Sequence, residues 1–199
     1  MKIALIVFGV FALVFIVVQI FAMKSRKSIE NYPYEVLKTY DEFEIRKYEA
    51  RLFTKVQLNT NDYSQASSAG FSKLAGYIFG GNDSKQKIAM TSPVAMGLED
   101  SMTMMFMVPN DLDKSKLPKP DNSEIEFKEE PVKIVVAITF GGWANTEKIE
   151  KYKQMLIDGL NEKGINYTNH FSLLGYNPPF DVLNRKNEVI VELEEGFLP

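Results

Sequence analysis

The sequence predicts an α+β protein in which two amphipathic helices pack against a mostly antiparallel sheet. Segments rich in β-branched and aromatic residues are separated by turn signals, and two segments have helical spacing of apolar residues. The order strand, helix, strand, strand occurs twice, with helices starting near residues 62 and 146. The chain is 45% hydrophobic and 25% charged, so it has enough apolar residues for the core of one domain.

The first half of the body supplies the first copy of this order. Residues 34–58 favour two or three strands. A helix follows, with Asn61 or Asp62 as its N-cap and a stop at residues 80–82. Two strands then lie within residues 86–108, and in the second of them methionines and Phe106 fill both alternating sets of positions. We therefore expect that strand to be buried on both faces.

The second half supplies the second copy, after a charged, proline-containing loop at residues 109–123. The predicted elements are, in order, a short strand at 125–128, a strand at 132–140, a helix from Asn145 or Thr146 to about Gly164, and strands at 170–175 and 188–194.

The N-terminus predicts a membrane anchor. Residues 3–22 contain no charge, and twenty helical residues span a hydrocarbon core of about 30 Å. A cleaved signal peptide is the alternative, but this stretch is longer than a typical signal core and a basic cluster follows it at residues 24–27. The positive-inside rule then places the body in the cytoplasm. We accordingly divide the chain into an anchor with its basic flank, 1–27, and a domain, 28–199.

Composition excludes several classes of function. The first 27 residues carry four basic side chains and no acidic one, which leaves a net charge of −7 on the rest and argues against nucleic-acid binding. Cysteine is absent, so thiolate catalysis and cysteine-ligated metals are excluded. The sequence lacks the common hydrolase, metalloprotease and nucleotide-binding motifs. Carboxylates at alternating strand positions, including Glu44, Glu49, Glu188 and Glu192, indicate a solvated face, and we predict no enzyme activity.

Six segments, in order along the chain, resemble the SOUL or heme-binding-protein family. They are YEVLKTYDEFEIRKYEAR (34–51), FSKLAGYIFGGN (71–82), KIAMTSPVAM (87–96), MFMVP (105–109), FGGWA (140–144) and YNPPFDVLNRKNEVIVEL (176–193). The resemblance implies a duplicated β-α-β-β unit that closes into a distorted antiparallel barrel with two helices. It agrees with the element order inferred from the residues.

The resemblance also implies an apolar cleft for heme or another tetrapyrrole, near the first helix and the loop after the two prolines. The matching positions are Phe71, Leu74, Ala75, Ile78 and Asp181. The alternative for Leu74 and Ile78 is a place in the helix's core stripe, because packing alone requires such an i, i+4 pair. Burial of apolar area would supply most of the affinity for a flat macrocycle.

The sequence departs from the family where basic residues would pair with the propionates of heme. Those positions fall on Ser68, Gly76 and Asp181, while Lys73, Lys85, Arg185 or Lys186 offer other cations. The single histidine, His170, is a candidate axial ligand, but a lone histidine at a strand entrance is more often a surface residue.

The sequence therefore predicts a single-pass, membrane-tethered domain that binds heme, another tetrapyrrole or a similar flat hydrophobic ligand without catalysis. The alternative is a protein or lipid interaction module that has kept the fold and lost heme binding. An enzyme acting on such ligands is a third class, for which no catalytic group can be nominated.

Overall fold

The computed structural model describes residues 7–15, 17–19, 29–178, 181–194 and 196. Its strands and helices are β1 (Tyr34–Thr39), β2 (Glu44–Tyr48), β3 (Arg51–Gln57), α1 (Tyr63–Ile78), β4 (Val94–Gly97), β5 (Thr103–Met107), β6 (Ile125–Glu130), β7 (Lys133–Gly141), α2 (Thr146–Lys163), β8 (Tyr167–Gly175) and β9 (Lys186–Leu193). Every strand and helix predicted for residues 34–194 is present, and the first aromatic stretch resolves into three strands.

The nine strands form one antiparallel sheet in the order β1-β2-β7-β9-β8-β4-β5-β3-β6. The unit β3-α1-β4-β5 and the unit β7-α2-β8-β9 have the same pairing, and β4 pairs with β8 where the two units meet. The predicted duplication is therefore confirmed. The sheet is a curled half-barrel with β1 and β6 at its edges, so the expected closed barrel holds only in part.

Both helices begin and end where local chemistry dictates. The side chain of Asp62 accepts a hydrogen bond from the Gln65 N–H and caps α1. Asn145 does the same for α2 by accepting from the Lys148 N–H. Gly164 ends α2 in the left-handed conformation that glycine adopts without steric cost.

The sheet is covered on both faces. On one face α1 and α2 pack over the larger core, which includes Met104 and Phe106 of β5. On the other face a smaller core includes Met105 and Met107 of the same strand. The prediction that this strand is buried on both sides is confirmed, and flexible thioethers fill the space on each side.

The N-terminal segment is helical over residues 7–15 and 17–19. Its large apolar side chains are 38–73% exposed. Among the described residues no helix is both long and apolar enough to cross a bilayer. The predicted span of residues 3–22 lies partly outside the described residues, so the predicted transmembrane helix receives no support from the fold.

Candidate ligand-binding cleft

Both ends of the loop between β8 and β9 contact one buried carboxylate, that of Glu188. Glu188 is fully buried and accepts hydrogen bonds from the Tyr176 hydroxyl at 2.6 Å and from Arg46 Nη1 at 2.9 Å. Its other oxygen lies 2.9 Å from Lys186 Nζ and accepts from the Thr139 hydroxyl at 3.1 Å. Since Tyr176 is the first residue of the loop and Lys186 follows its last residue, Glu188 fixes both of its ends.

Side chains of the loop also hydrogen-bond to other residues of the loop. Arg185 Nη1 donates to the carbonyls of Pro178 and Asp181, and Nη2 donates to the carbonyl of Asn177. Asn177 Nδ2 donates to Asp181 Oδ2 at 2.7 Å, and Asn177 Oδ1 accepts from the Lys186 N–H. These bonds satisfy carbonyls that the strands leave unpaired, so Arg185 is the cation around which the loop folds.

Two segments that carry the family resemblance meet at this loop. The guanidinium of Arg185 stacks on the ring of Trp143, with 3.9 Å from Cζ to the ring centroid. Asn187 Nδ2 donates to the carbonyl of Gly142, whose φ of +78° favours glycine. The FGGWA segment therefore lies against the YNPP…RKNEV segment.

The start of α1 faces the same loop. Tyr63 lies in the first turn of α1 and is close enough to Arg185 for each charge to act on the other. Burial raises the pKa of the Tyr63 phenol, and the charge of Arg185 opposes that shift. Burial also lowers the pKa of Arg185, against the opposing charge of Asp181. We refer to the space between α1 and residues 176–185 as the cleft.

Electrostatic interactions keep Glu188 ionised at the base of the loop. Burial by itself would raise the pKa of Glu188, but the hydrogen bond and charge of Arg46 outweigh it, so the pKa of Glu188 is lowered. Burial and the charge of Glu188 raise the pKa of Tyr176. Tyr176 is therefore a neutral donor and Glu188 a charged acceptor at neutral pH. The prediction that Glu188 belongs to a solvated face is wrong.

The predicted ligand positions on α1 divide between core and surface. Leu74, Ile78 and Ala75 are buried in the core. Phe71 is half-buried, with its ring centroid 5.5 Å from that of Phe106. Packing therefore accounts for the apolar character of Leu74 and Ile78, and their contact with a ligand stays a prediction.

The outer face of α1 is smooth and accessible. Ser68, Ala69 and Gly76 are exposed, and a Cβ built on Gly76 meets no atom within 4 Å. Gly70, in contrast, faces the sheet: a Cβ there would lie 3.0 Å from Leu58 and from Met104. The small residues of α1 thus allow close packing against the sheet on one side and leave the other side free of large side chains.

Two cavities differ greatly in size. A cavity of about 10 Å³ lies behind the C-terminal end of α1, beside Tyr77, Ile78 and Thr91, and has room for about one water molecule. A groove of about 390 Å³ lies at the far edge of the sheet, beside Arg51, Lys114 and Glu129. The cavity in the core is too small for a macrocycle.

Of the four candidate cations, Arg185 alone lies in the cleft without a salt bridge among the described residues. Lys73 pairs with Glu124, Lys85 pairs with Asp121, and Lys186 pairs with Glu188. Asp181 is fully buried and accepts from Asn177, so its side chain holds the loop. Its contact with a ligand stays a prediction.

His170 lies away from the cleft. Its imidazole is 66% exposed, and Nδ1 lies 2.7 Å from Glu99 Oε1. Five residues of β8 separate it from the start of the loop, a distance of about 17 Å along a strand. The described residues contain no group of three or more His, Asp or Glu side chains arranged to hold a metal ion. His170 therefore lies apart from the loop at 176–185, and its contact with heme iron stays a prediction.

A family model of known proteins matches this chain. The model described as SOUL heme-binding protein covers residues 29–192. The chain belongs to the SOUL heme-binding protein family. The cofactor that this family membership supports is heme.

Named relatives agree with the assignment. Mouse Heme-binding protein 2 is 28% identical over 156 residues, which cover 74% of this chain and 76% of the relative. Pig Heme-binding protein 1 is 25% identical over 174 residues, covering 81% of this chain and 92% of the relative. Both similarities run through most of the SOUL domain.

Solved structures share the fold at low sequence identity. The C-terminal domain of EcmrR superimposes with a TM-score of 0.59 at 12% identity, covering 81% of this chain and 98% of that domain. A hydrolase from Listeria innocua superimposes with a TM-score of 0.56 at 9% identity, covering 79% and 94%. At these identities the likeness concerns the fold alone.

Proposed function

We propose that this SOUL domain binds heme or a related tetrapyrrole, without catalysis, on the outer face of α1 beneath the loop at 176–185. The observation that carries the proposal is the position of Arg185. Its guanidinium stacks on Trp143, and its charge acts on Tyr63 of α1. A guanidinium so placed can pair with a propionate while the macrocycle covers small side chains of the helix.

The relatives support this choice of ligand. The mouse and pig relatives are named as heme-binding proteins. Apolar contact with a flat ring stabilises a complex by roughly 25 cal/mol per Å² before association costs. Because His170 is remote, the residues here hold the ring by its faces and its propionates rather than through a histidine–iron bond.

We also propose that the N-terminal segment tethers the domain to a membrane, with the body on the cytoplasmic side. The described part of this segment is apolar around its whole circumference and exposed, which is typical of a helix that is solvated by lipid. The basic residues 24–27 follow it in sequence and favour the cytoplasmic side. A full chain that resists carbonate extraction would support the tether, and a mature protein beginning near residue 23 would contradict it.

The test of ligand binding is a hemin titration of the full chain in detergent micelles, followed by the Soret band. We expect saturable binding that Arg185→Gln weakens by about tenfold, equivalent to about 1.4 kcal/mol. Arg51→Gln is the matched control, since Arg51 lies on the far edge of the sheet and should leave affinity unchanged. Arg185→Lys keeps the charge and separates charge from loop order.

Two results would overturn the binding proposal. One is a Soret band that never saturates, and the other is equal affinity for wild type and Arg185→Gln. In either case the alternative function, an interaction module on the same fold, becomes the better account.

A further inference from the structure

Three exposed apolar side chains lie together beside the cleft. Trp143 is 52% exposed, Val182 is 42% exposed and Leu183 is 51% exposed. Arg185 joins them, because its guanidinium stacks on Trp143 and its Nη1 donates to the carbonyl of Asp181, next to Val182. We refer to Trp143, Val182 and Leu183 as the apolar tip. A loop that hydrogen bonds fix in place and that exposes large apolar side chains is typical of a docking surface.

The apolar N-terminal helix meets the body at this tip. The side-chain carbonyl of Gln19 accepts a hydrogen bond from the Val182 N–H at 3.2 Å, and Gln19 is only 5% exposed. The large apolar side chains at residues 7–15 and 17–18 are exposed, so they do not pack against the body. The described end of the segment that the proposed tether places in lipid therefore lies beside Val182.

Positive charge accompanies the apolar tip, although the body is acidic as a whole. Lys148 Nζ lies 3.3 Å from the carbonyl of Gly141, two residues before Trp143. No salt bridge among the described residues involves Lys148 or Arg185. Glu147 is the exposed acid nearest in sequence, and Glu188 is buried in its own ion pairs. Tryptophan beside lysine and arginine side chains is typical of a bilayer interface that carries anionic headgroups.

We propose that the apolar tip docks into the headgroup region of a bilayer that contains anionic lipids, so that the cleft opens at the membrane surface. This inference rests on the proposed tether. The helix end contacts Val182 of the tip, so anchoring the helix brings the tip to the interface. A tetrapyrrole that partitions into lipid would then reach the outer face of α1 without crossing bulk water.

The test uses Trp143, which is the only tryptophan of the chain. The full chain is reconstituted without heme into nanodiscs whose lipids carry bromine near the headgroup end of their acyl chains. We expect quenched, blue-shifted tryptophan emission. The double substitution Val182→Asp with Leu183→Asp should abolish both effects. Val132→Asp is the matched control, because Val132 is equally exposed but lies at the opposite end of β7, about 30 Å away.

Lipid composition tests the charged part of the proposal. Quenching should be stronger with phosphatidylserine than with phosphatidylcholine alone, and high salt should reduce the difference. Lys148→Gln should lower the preference for anionic lipid by about fivefold, the equivalent of about 1 kcal/mol per cation.

Emission that is unquenched in a correctly inserted chain would overturn the inference, as would equal quenching of wild type and the double aspartate variant. Equal quenching in both lipid compositions would also contradict it. Carbonate extraction of the same samples reports on the tether, and a hemin titration reports on binding. A failure of the docking surface is therefore distinguishable from a failure of either proposed function.

Discussion

Two neighbouring positions on α1 separate a ligand surface from the core. Gly76 is exposed, and a Cβ built on it meets nothing within 4 Å. Ala75 is 8% exposed and belongs to the core. We predict that Gly76→Trp abolishes tight hemin binding with no loss of stability. Ala75→Trp should instead overpack the core and destabilise the fold by about 1 to 3 kcal/mol.

The magnitudes follow from the two environments. Replacing glycine inside a helix gains a few tenths of a kcal/mol from helix propensity, so Gly76→Trp should unfold at the same or a higher denaturant concentration. An indole lying on the helix would occupy about 100 Å² of the surface that the macrocycle needs. At roughly 25 cal/mol per Å² that loss is about 2.5 kcal/mol, or roughly 70-fold in Kd.

The assay pairs a urea denaturation curve with a hemin titration for each variant. Glu150→Gln, at an exposed position of α2, is the control and should change neither measurement. Hemin binding by Gly76→Trp within about threefold of wild type would refute the reasoning, because the macrocycle could not then lie on this face.

Three further predictions follow from the buried and remote charges. Glu188→Gln leaves Arg46 and Lys186 without their buried partner and should destabilise the fold by about 3 to 5 kcal/mol in urea denaturation, whereas Glu99→Gln, on the surface, should cost less than about 1 kcal/mol. The lowered pKa values of Glu188 and Glu130 mean that their stabilisation is complete above about pH 4.3 and is lost as the pH falls through the folded-state pKa, so urea midpoints should drop steeply only in acid. A midpoint that is flat from neutral pH to pH values well below that threshold would contradict this assignment. His170→Ala should leave the Soret band and hemin affinity unchanged, and a low-spin spectrum lost in this variant would make His170 an iron ligand after all.

Local chemistry predicted most of the fold. Asp62 and Asn145 cap their helices because short polar side chains reach the free N–H groups of the first turn. The sequence predicted that β5 is buried on both faces because apolar residues occupy both sets of alternating positions. Closure of the sheet is a long-range property of β1 and β6, which no local pattern specifies, and here the expectation of a full barrel went beyond the half-barrel that forms.

The burial of Glu188 and the contacts of Arg185 depend on long-range contacts, so the sequence did not predict them. Alternation along β9 placed Glu188 on one face, but a period of two cannot show that this face is also covered. Arg185 was one of four candidate cations, and its role depends on a reversal of the loop at Asn184, whose φ is +52°. Trp143 lies 42 residues from Arg185 in sequence and meets it only in the folded protein. The FGGWA and RKNEV segments were the available signal.

The most direct test of the central claim is to map which backbone amides of the full chain are broadened by the paramagnetic iron when hemin is added. The account predicts selective broadening at Ser68 and Gly76 on the outer face of α1 and at Val182 in the loop, with gallium protoporphyrin shifting the same amides without broadening them. Broadening centred on His170, or on the groove beside Arg51 and Lys114, would contradict it.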